Sequence, residues 1–242
     1  PDGAVHVAWL DGRDGKKGVS TAYASRSVDR GGSFFKNVRI DGNSCPCCRT
    51  AITAAPSGEV YVSWRKVFEG DVREIVAARS TNKGGSFSPP VIVGRDNWKI
   101  EGCPHRGPGL AAAKDTVYEV WYTEAGDGAP CVYYGGVETS RWGGDFNVRP
   151  LSCGGKTFPD HPALTLDKQE RPVFLWEETT PVLSRIMMKT GVDKPAQLSK
   201  GVRKAAHPSA SGNWKDRGKG AMLIVWSQDE MRFTKTAIML KN

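Results

Sequence analysis

The residues best suited to chemistry are the cysteines and histidines, because thiolate and imidazole are the ligands that soft and borderline metal ions choose. Three cysteines are packed into Cys45-Pro46-Cys47-Cys48-Arg49, and a fourth opens Cys103-Pro104-His105-Arg106. Two further histidines stand beside prolines, in Asp160-His161-Pro162 and Ala206-His207-Pro208. His105, His161 and His207 are 56 and 46 residues apart, and the triple cysteine precedes His105 by a comparable step. This register predicts a copper or zinc centre, for metal handling or a redox role, with Cys47, Cys48, Cys103, His105, His161 and His207 as ligands. Arg49 and Arg106 would surround it or bind an anion. The same cysteines also fit a second reading, disulfides joining Cys131 to Cys153 and Cys103 to one of the triplet. His6 reads as a packed core residue.

Ligands so far apart in sequence need a scaffold that returns to one point at a fixed period. A short strand ending in Trp comes back five times, at Val5-His6-Val7-Ala8-Trp9, Val60-Tyr61-Val62-Ser63-Trp64, Val117-Tyr118-Glu119-Val120-Trp121, Val173-Phe174-Leu175-Trp176 and Leu223-Ile224-Val225-Trp226. The steps from Trp to Trp are 55, 57, 55 and 50 residues. Their β-branched and aromatic content is that of buried strands. A second strand follows each Trp, at 20–26, 73–79, 131–137, 184–189 and 233–239, then a turn and a third strand such as 38–40 or 91–93. From the second copy on, a further strand precedes the Trp strand, at 50–54, 109–112, 163–166 and 208–211. Four strands per period make the blade of a β-propeller, and the innermost strand of each blade lines its channel. The Cys and His motifs lie just before those inner strands, so the architecture predicts that they converge on one channel mouth.

The turns after the second strands carry a family resemblance. Ser27-Val28-Asp29-Arg30-Gly31-Gly32-Ser33-Phe34 and Ser80-Thr81-Asn82-Lys83-Gly84-Gly85-Ser86-Phe87 resemble the Asp boxes (BNR repeats) of sialidase-like propellers, and Thr139-Ser140-Arg141-Trp142-Gly143-Gly144-Asp145-Phe146 is a worn third copy. In such a turn the Asp or Asn and the Ser hydrogen-bond the backbone, the Gly pair permits positive φ, and the Phe fills the gap between sheets. The resemblance implies an all-β, sialidase-like propeller of five or six four-stranded blades. It is expected as a single domain over residues 1–242, with the first and last blades incomplete. It further implies, for a sialidase, three arginines clamping a carboxylate, a Tyr nucleophile with a Glu partner and an Asp acid/base. Arg49 and Arg106 match two of the arginines, and Tyr122, Glu124 and Asp11 are the positions for the rest. A third arginine is not evident, because His161 and His207 stand in the corresponding places.

Two alternatives to the metal-binding propeller therefore stay open: an exo-α-sialidase-type glycoside hydrolase, and a non-catalytic propeller binding a glycan or a protein. For that last class Trp98, Trp142 and Trp214 are either sugar-stacking surfaces or inter-blade packing. If the chain is an enzyme, it is expected to be a sialidase-type hydrolase or a metal-dependent oxidoreductase. Its 34 Lys and Arg against 26 Asp and Glu leave a net charge of +8, but the basic residues form no run, so nucleic acid is not an expected partner. No apolar stretch reaches a membrane-spanning length, and no nucleotide cofactor is expected. Six cysteines in 242 residues, three of them adjacent or nearly so, suit the periplasm or secretion better than a reducing cytosol. The start at Pro1 is read as that of a trimmed product.

Overall fold

The computed structural model describes residues 3–14, 19–200, 204–212, 221–228 and 232–239. These form nineteen strands and two 3-10 turns, Glu69–Asp71 and Thr139–Arg141. Of the tryptophans named above, Trp214 lies outside the described residues.

The first sheet holds β1 (Val5–Asp11), β2 (Ser20–Ser27), β3 (Val38–Ser44), β4 (Ala51–Ala54), β5 (Val60–Val67), β6 (Val72–Ser80), β7 (Val91–Ile92) and β8 (Trp98–Lys99). Its order is β1-β2-β3-β5-β6-β7, with β4 also on β5 and β8 on β6. Two sequence repeats are thus joined in one sheet, through the pair Ser44 and Lys66. The next sheet is ordered β12-β11-β10-β9, from β9 (Gly109–Ala112), β10 (Thr116–Thr123), β11 (Cys131–Glu138) and β12 (Arg149–Cys153). A third runs β13 (Phe158–Leu166), β14 (Pro172–Thr179), β15 (Ser184–Thr190), β16 (Ala196–Gln197), and a fourth β17 (Ala205–Ser211), β18 (Ala221–Gln228), β19 (Arg232–Met239). Contacts divide the chain into two compact units, residues 1–119 with 135–148 and residues 120–134 with 149–242.

The Trp strands form the core because they are covered on both faces, as the unbroken burial of residues 60–65 in β5 illustrates. Trp64 and Trp121 are fully buried and Trp176 nearly so. In the first unit Trp64 packs with Ala22, Val62, Val76 and Ala78. In the second, Trp226 packs with Val173, Leu175, Ile186, Ala205, Met222 and Ile224.

The box turns are fastened by their own side chains. Asp29 Oδ1 accepts the Ser33 N–H at 2.9 Å and the Ser27 hydroxyl at 2.6 Å, while Ser27 Oγ accepts the Gly31 N–H at 2.8 Å. The second turn repeats this with Asn82, Ser86, Ser80 and Gly84 at 2.9, 2.8 and 2.8 Å. Gly31 and Gly84 take φ of 94° and 81°, a region closed to most residues. The second and third boxes each receive an arginine from the repeat before: Arg26 Nη1 donates to the Lys83 carbonyl at 3.0 Å, and Arg79 Nη1 to the Thr139 carbonyl at 3.0 Å. His6 is half-buried, and its ring lies against the Gly84 turn. The Phe positions differ among copies. Phe87 packs on the Trp64 core and Phe146 is buried, whereas Phe34 remains 47% exposed and does not fill a gap.

Candidate metal centre

The cysteine loop is built from the edge of β5. β3 pairs that edge at Ser44–Lys66 and β4 pairs it at Ala51–Ser63, so residues 45–50 bridge two segments lying along one strand. The Cys45 N–H donates to the Arg65 carbonyl at 2.8 Å, which ties the loop to the strand. Cys103 arrives on the segment between β8 and β9, brought close where Gly107 passes against the backbone of Arg49.

Four sulfurs meet there. The Sγ atoms of Cys45, Cys47, Cys48 and Cys103 all lie within 4.8 Å of one another, the one metal-competent group of this kind among the described residues. Cys45 Sγ is 3.2 Å from Cys48 Sγ, 3.5 Å from Cys103 Sγ and 4.0 Å from Cys47 Sγ. Cys47 and Cys103 stand at disulfide distance, as do Cys131 and Cys153 on β11 and β12. Cys45 and Cys48 are buried free thiols.

Two cations face this cluster. Arg73 on β6 is 7% exposed and its Nη1 donates to Cys45 Sγ at 3.1 Å. Arg65 on β5 is fully buried, its guanidinium 4.9 Å from the centroid of the Trp98 ring and 3.4 Å from the Arg106 carbonyl. Burial pulls the Arg65 pKa down, and the charges of Cys48, Asp96 and Cys45 hold it up. The hydrogen bond from the Cys48 thiol, the Cys47 N–H and Arg73 together pull the Cys45 thiol down to about 5. The same Cys45 contact and burial push the Cys48 thiol up. Arg73 stands beside Cys45, so Cys45 is the sulfur of the pair placed to carry negative charge.

The structure gathers Cys47, Cys48 and Cys103 with Cys45, which the ligand set read from sequence leaves out. The signal for it is the C-x-x-C spacing of Cys45 and Cys48. Arg65 and Arg73 were also missed, because a charged residue in a strand reads as solvent-facing. Arg49 and His105 are exposed and Arg106 is half-buried, with its Nη1 on the Pro104 carbonyl at 2.6 Å.

In the second unit His161 and His207 form a pair, ring centroids 4.2 Å apart and steeply tilted. His161 Nδ1 is 3.0 Å from Glu177 Oε2, and Glu177 is 8% exposed. Both histidines sit at bulges, where the ladder skips between Asp160 and Ala163 and between Ala206 and Ser209. His105, His161 and His207 all adopt positive φ, 55°, 44° and 54°, a feature they share along with one register.

For the sialidase positions, the Tyr122 hydroxyl donates to Glu124 Oε1 within the second unit. Asp11 accepts from Trp9 Nε1 at 2.8 Å and from the Arg13 N–H at 2.9 Å. Arg13 first, then Trp9, hold its carboxyl well below the usual carboxylate range, the opposite of what a general acid needs.

No protein-family model and no curated protein matches the sequence. Solved structures do. A PL25 polysaccharide lyase, an ulvan lyase bound to a sulfated glucuronyl-rhamnose saccharide, aligns over 98% of this chain and 68% of its own at 12% identity and a TM-score of 0.53. The Hadza microbial sialidase Hz136 aligns over 98% of this chain and 54% of its own, at 12% identity and 0.61. An endo-arabinase from Bacteroides thetaiotaomicron aligns over 100% and 97%, at 12% identity and 0.50. At such identities what this chain shares with those glycan-active enzymes is the fold.

Proposed function

We propose that the chain is an exported, sialidase-like Asp-box propeller of five or six blades that binds one copper(I) or zinc ion through Cys45, Cys47, Cys48 and Cys103. The observation that carries this reading is the meeting of four sulfurs beside two buried guanidiniums. Buried cations need anionic partners, and thiolates supply them. A divalent ion held by four thiolates has a net charge of two minus, which Arg65 and Arg73 balance, so zinc suits the surroundings better than copper(I). Holding the metal requires Cys47 and Cys103 in the reduced form. Export fits the cysteine content and the two pairs at disulfide distance.

The test is a competition titration of anaerobically reduced protein against a chromophoric chelator. The expected result is one equivalent of metal, lost in Cys45→Ser and retained in a His161→Ala, His207→Ala double variant. A reduced protein that takes up no metal overturns the proposal.

A second reading, a glycoside hydrolase with a glycan partner, is supported by the glycan-active structural neighbours and by the Tyr122–Glu124 hydrogen bond. Turnover of a fluorogenic sialoside, abolished by Tyr122→Phe, would establish it; no turnover would remove it.

A further inference from the structure

The four sulfurs carry more than ligand geometry, because they are two redox pairs in mutual contact. Cys47 and Cys103 are half-buried and paired, and Cys45 and Cys48 lie behind them as buried thiols. Cys45 Sγ, with Arg73 Nη1 at 3.1 Å, is 3.5 Å from Cys103 Sγ, about van der Waals contact for two sulfurs. Cys48 Sγ is 3.2 Å from Cys45 Sγ on its other side.

From these contacts we infer that the site performs intramolecular dithiol–disulfide exchange, with Cys45 as the nucleophile and Cys48 as the resolving thiol. The Cys45 thiolate attacks Cys103 Sγ, the Cys47–Cys103 bond breaks, and Cys47 leaves as thiolate. Cys48 passes its proton to Cys47 and attacks Cys45 Sγ, which forms Cys45–Cys48 and releases Cys103 as thiolate. One disulfide is consumed and one made, so no outside oxidant or reductant enters. Before exchange the bridge ties the loop ahead of β4 to the segment ahead of β9. Afterwards it closes a four-residue ring and frees Cys47 and Cys103 as thiols for exchange with an outside disulfide. Arg73 favours the attacking thiolate by position, as a fixed cation beside a nucleophilic sulfur does. The exchange uses the same sulfurs as the metal centre but runs without metal, so the two proposals fail separately.

The experiment is a native alkylation time course in chelator, with N-ethylmaleimide, acid quench and tryptic mapping. Trypsin releases Cys45, Cys47 and Cys48 in peptide 40–49 and Cys103 in peptide 100–106. In the wild type, labelled 100–106 is expected to accumulate together with 40–49 carrying an internal Cys45–Cys48 bridge. In Cys45→Ser the two peptides stay cross-linked and Cys103 stays unlabelled. In Cys48→Ser exchange stops halfway, and fragmentation at the Cys45–Pro46 bond locates a share of the cross-link on Cys45. Identical maps for wild type and Cys45→Ser, a cross-link found only on Cys47 in Cys48→Ser, or four thiols free in the untreated wild type, each overturn the inference.

Discussion

Gly107→Ala separates the placement of the cysteines from their chemistry. A Cβ built on Gly107 falls 2.0 Å from the Arg49 carbonyl oxygen, 2.8 Å from its carbon and 3.1 Å from the Arg49 Cα. Ordinary van der Waals contact begins at 3.4 Å, so the two segments must part by 3.4 − 2.0 = 1.4 Å, and the obstacle is backbone that no rotamer can move. Arg49 follows Cys48 directly, and Gly107 is four residues after Cys103. The opening is therefore delivered to sulfurs from both segments. A zinc–thiolate bond of about 2.3 Å tolerates deviations of about 0.2 Å. The variant is expected to lose metal binding by at least roughly a hundredfold in Kd and, as an overpacked site, about 1–3 kcal/mol of stability, or roughly 2–12 °C in Tm. Gly102→Ala in the same segment is the control, because its Cβ meets nothing nearer than Ile100 Cγ1 at 3.8 Å. Chelator competition and thermal unfolding read both effects. A Gly107→Ala protein that binds zinc and melts like Gly102→Ala would mean that the Gly107–Arg49 approach does not place the sulfurs.

Other expectations follow from single contacts. Arg73→Gln removes the guanidinium from Cys45 and should cost about 1.5–3 kcal/mol of metal affinity, roughly ten- to hundredfold in Kd by the same titration. Glu119 is fully buried with Ser63 on Oε2 at 2.9 Å and no partner on Oε1, and burial raises its pKa well above 4.5. The folded state then holds a proton that the unfolded chain gives up. Stability should fall as pH rises above about 4.5, by about 1.4 kcal/mol per pH unit until the folded pKa is passed. Denaturant unfolding of Glu119→Gln should lack that decline and meet the wild-type curve at low pH; parallel curves would show Glu119 ionised in the fold. Cys131 and Cys153 are 22 residues apart, so Cys131→Ala with Cys153→Ala should cost about 3 kcal/mol in denaturant unfolding, and no loss would mean the bridge does not form.

Much of the strand pattern is legible because it depends on local chemistry. The segment read at 109–112 is β9, and that at 50–54 contains β4. β13 and β17 begin earlier than read, at Phe158 and Ala205, because Pro162 and Pro208 look like strand breakers. The chain accommodates them at bulges, with His161 and His207 at positive φ. The cysteine cluster was half legible. Repeat register points to Cys47, Cys48 and Cys103 and passes over Cys45; of the histidines it also names, His161 stands against His207 and Glu177. Nothing in the alternation of β5 and β6 distinguishes Arg65 and Arg73 from surface arginines, because the groups against them, Trp98 for Arg65 and Cys45 for Arg73, are distant in sequence.

The most direct test of the metal centre is X-ray absorption at the zinc edge on reduced, zinc-loaded protein. Four sulfur neighbours at about 2.3 Å, with no imidazole scattering, are predicted. A shell containing histidine nitrogen, or fewer than four sulfurs, would contradict the account.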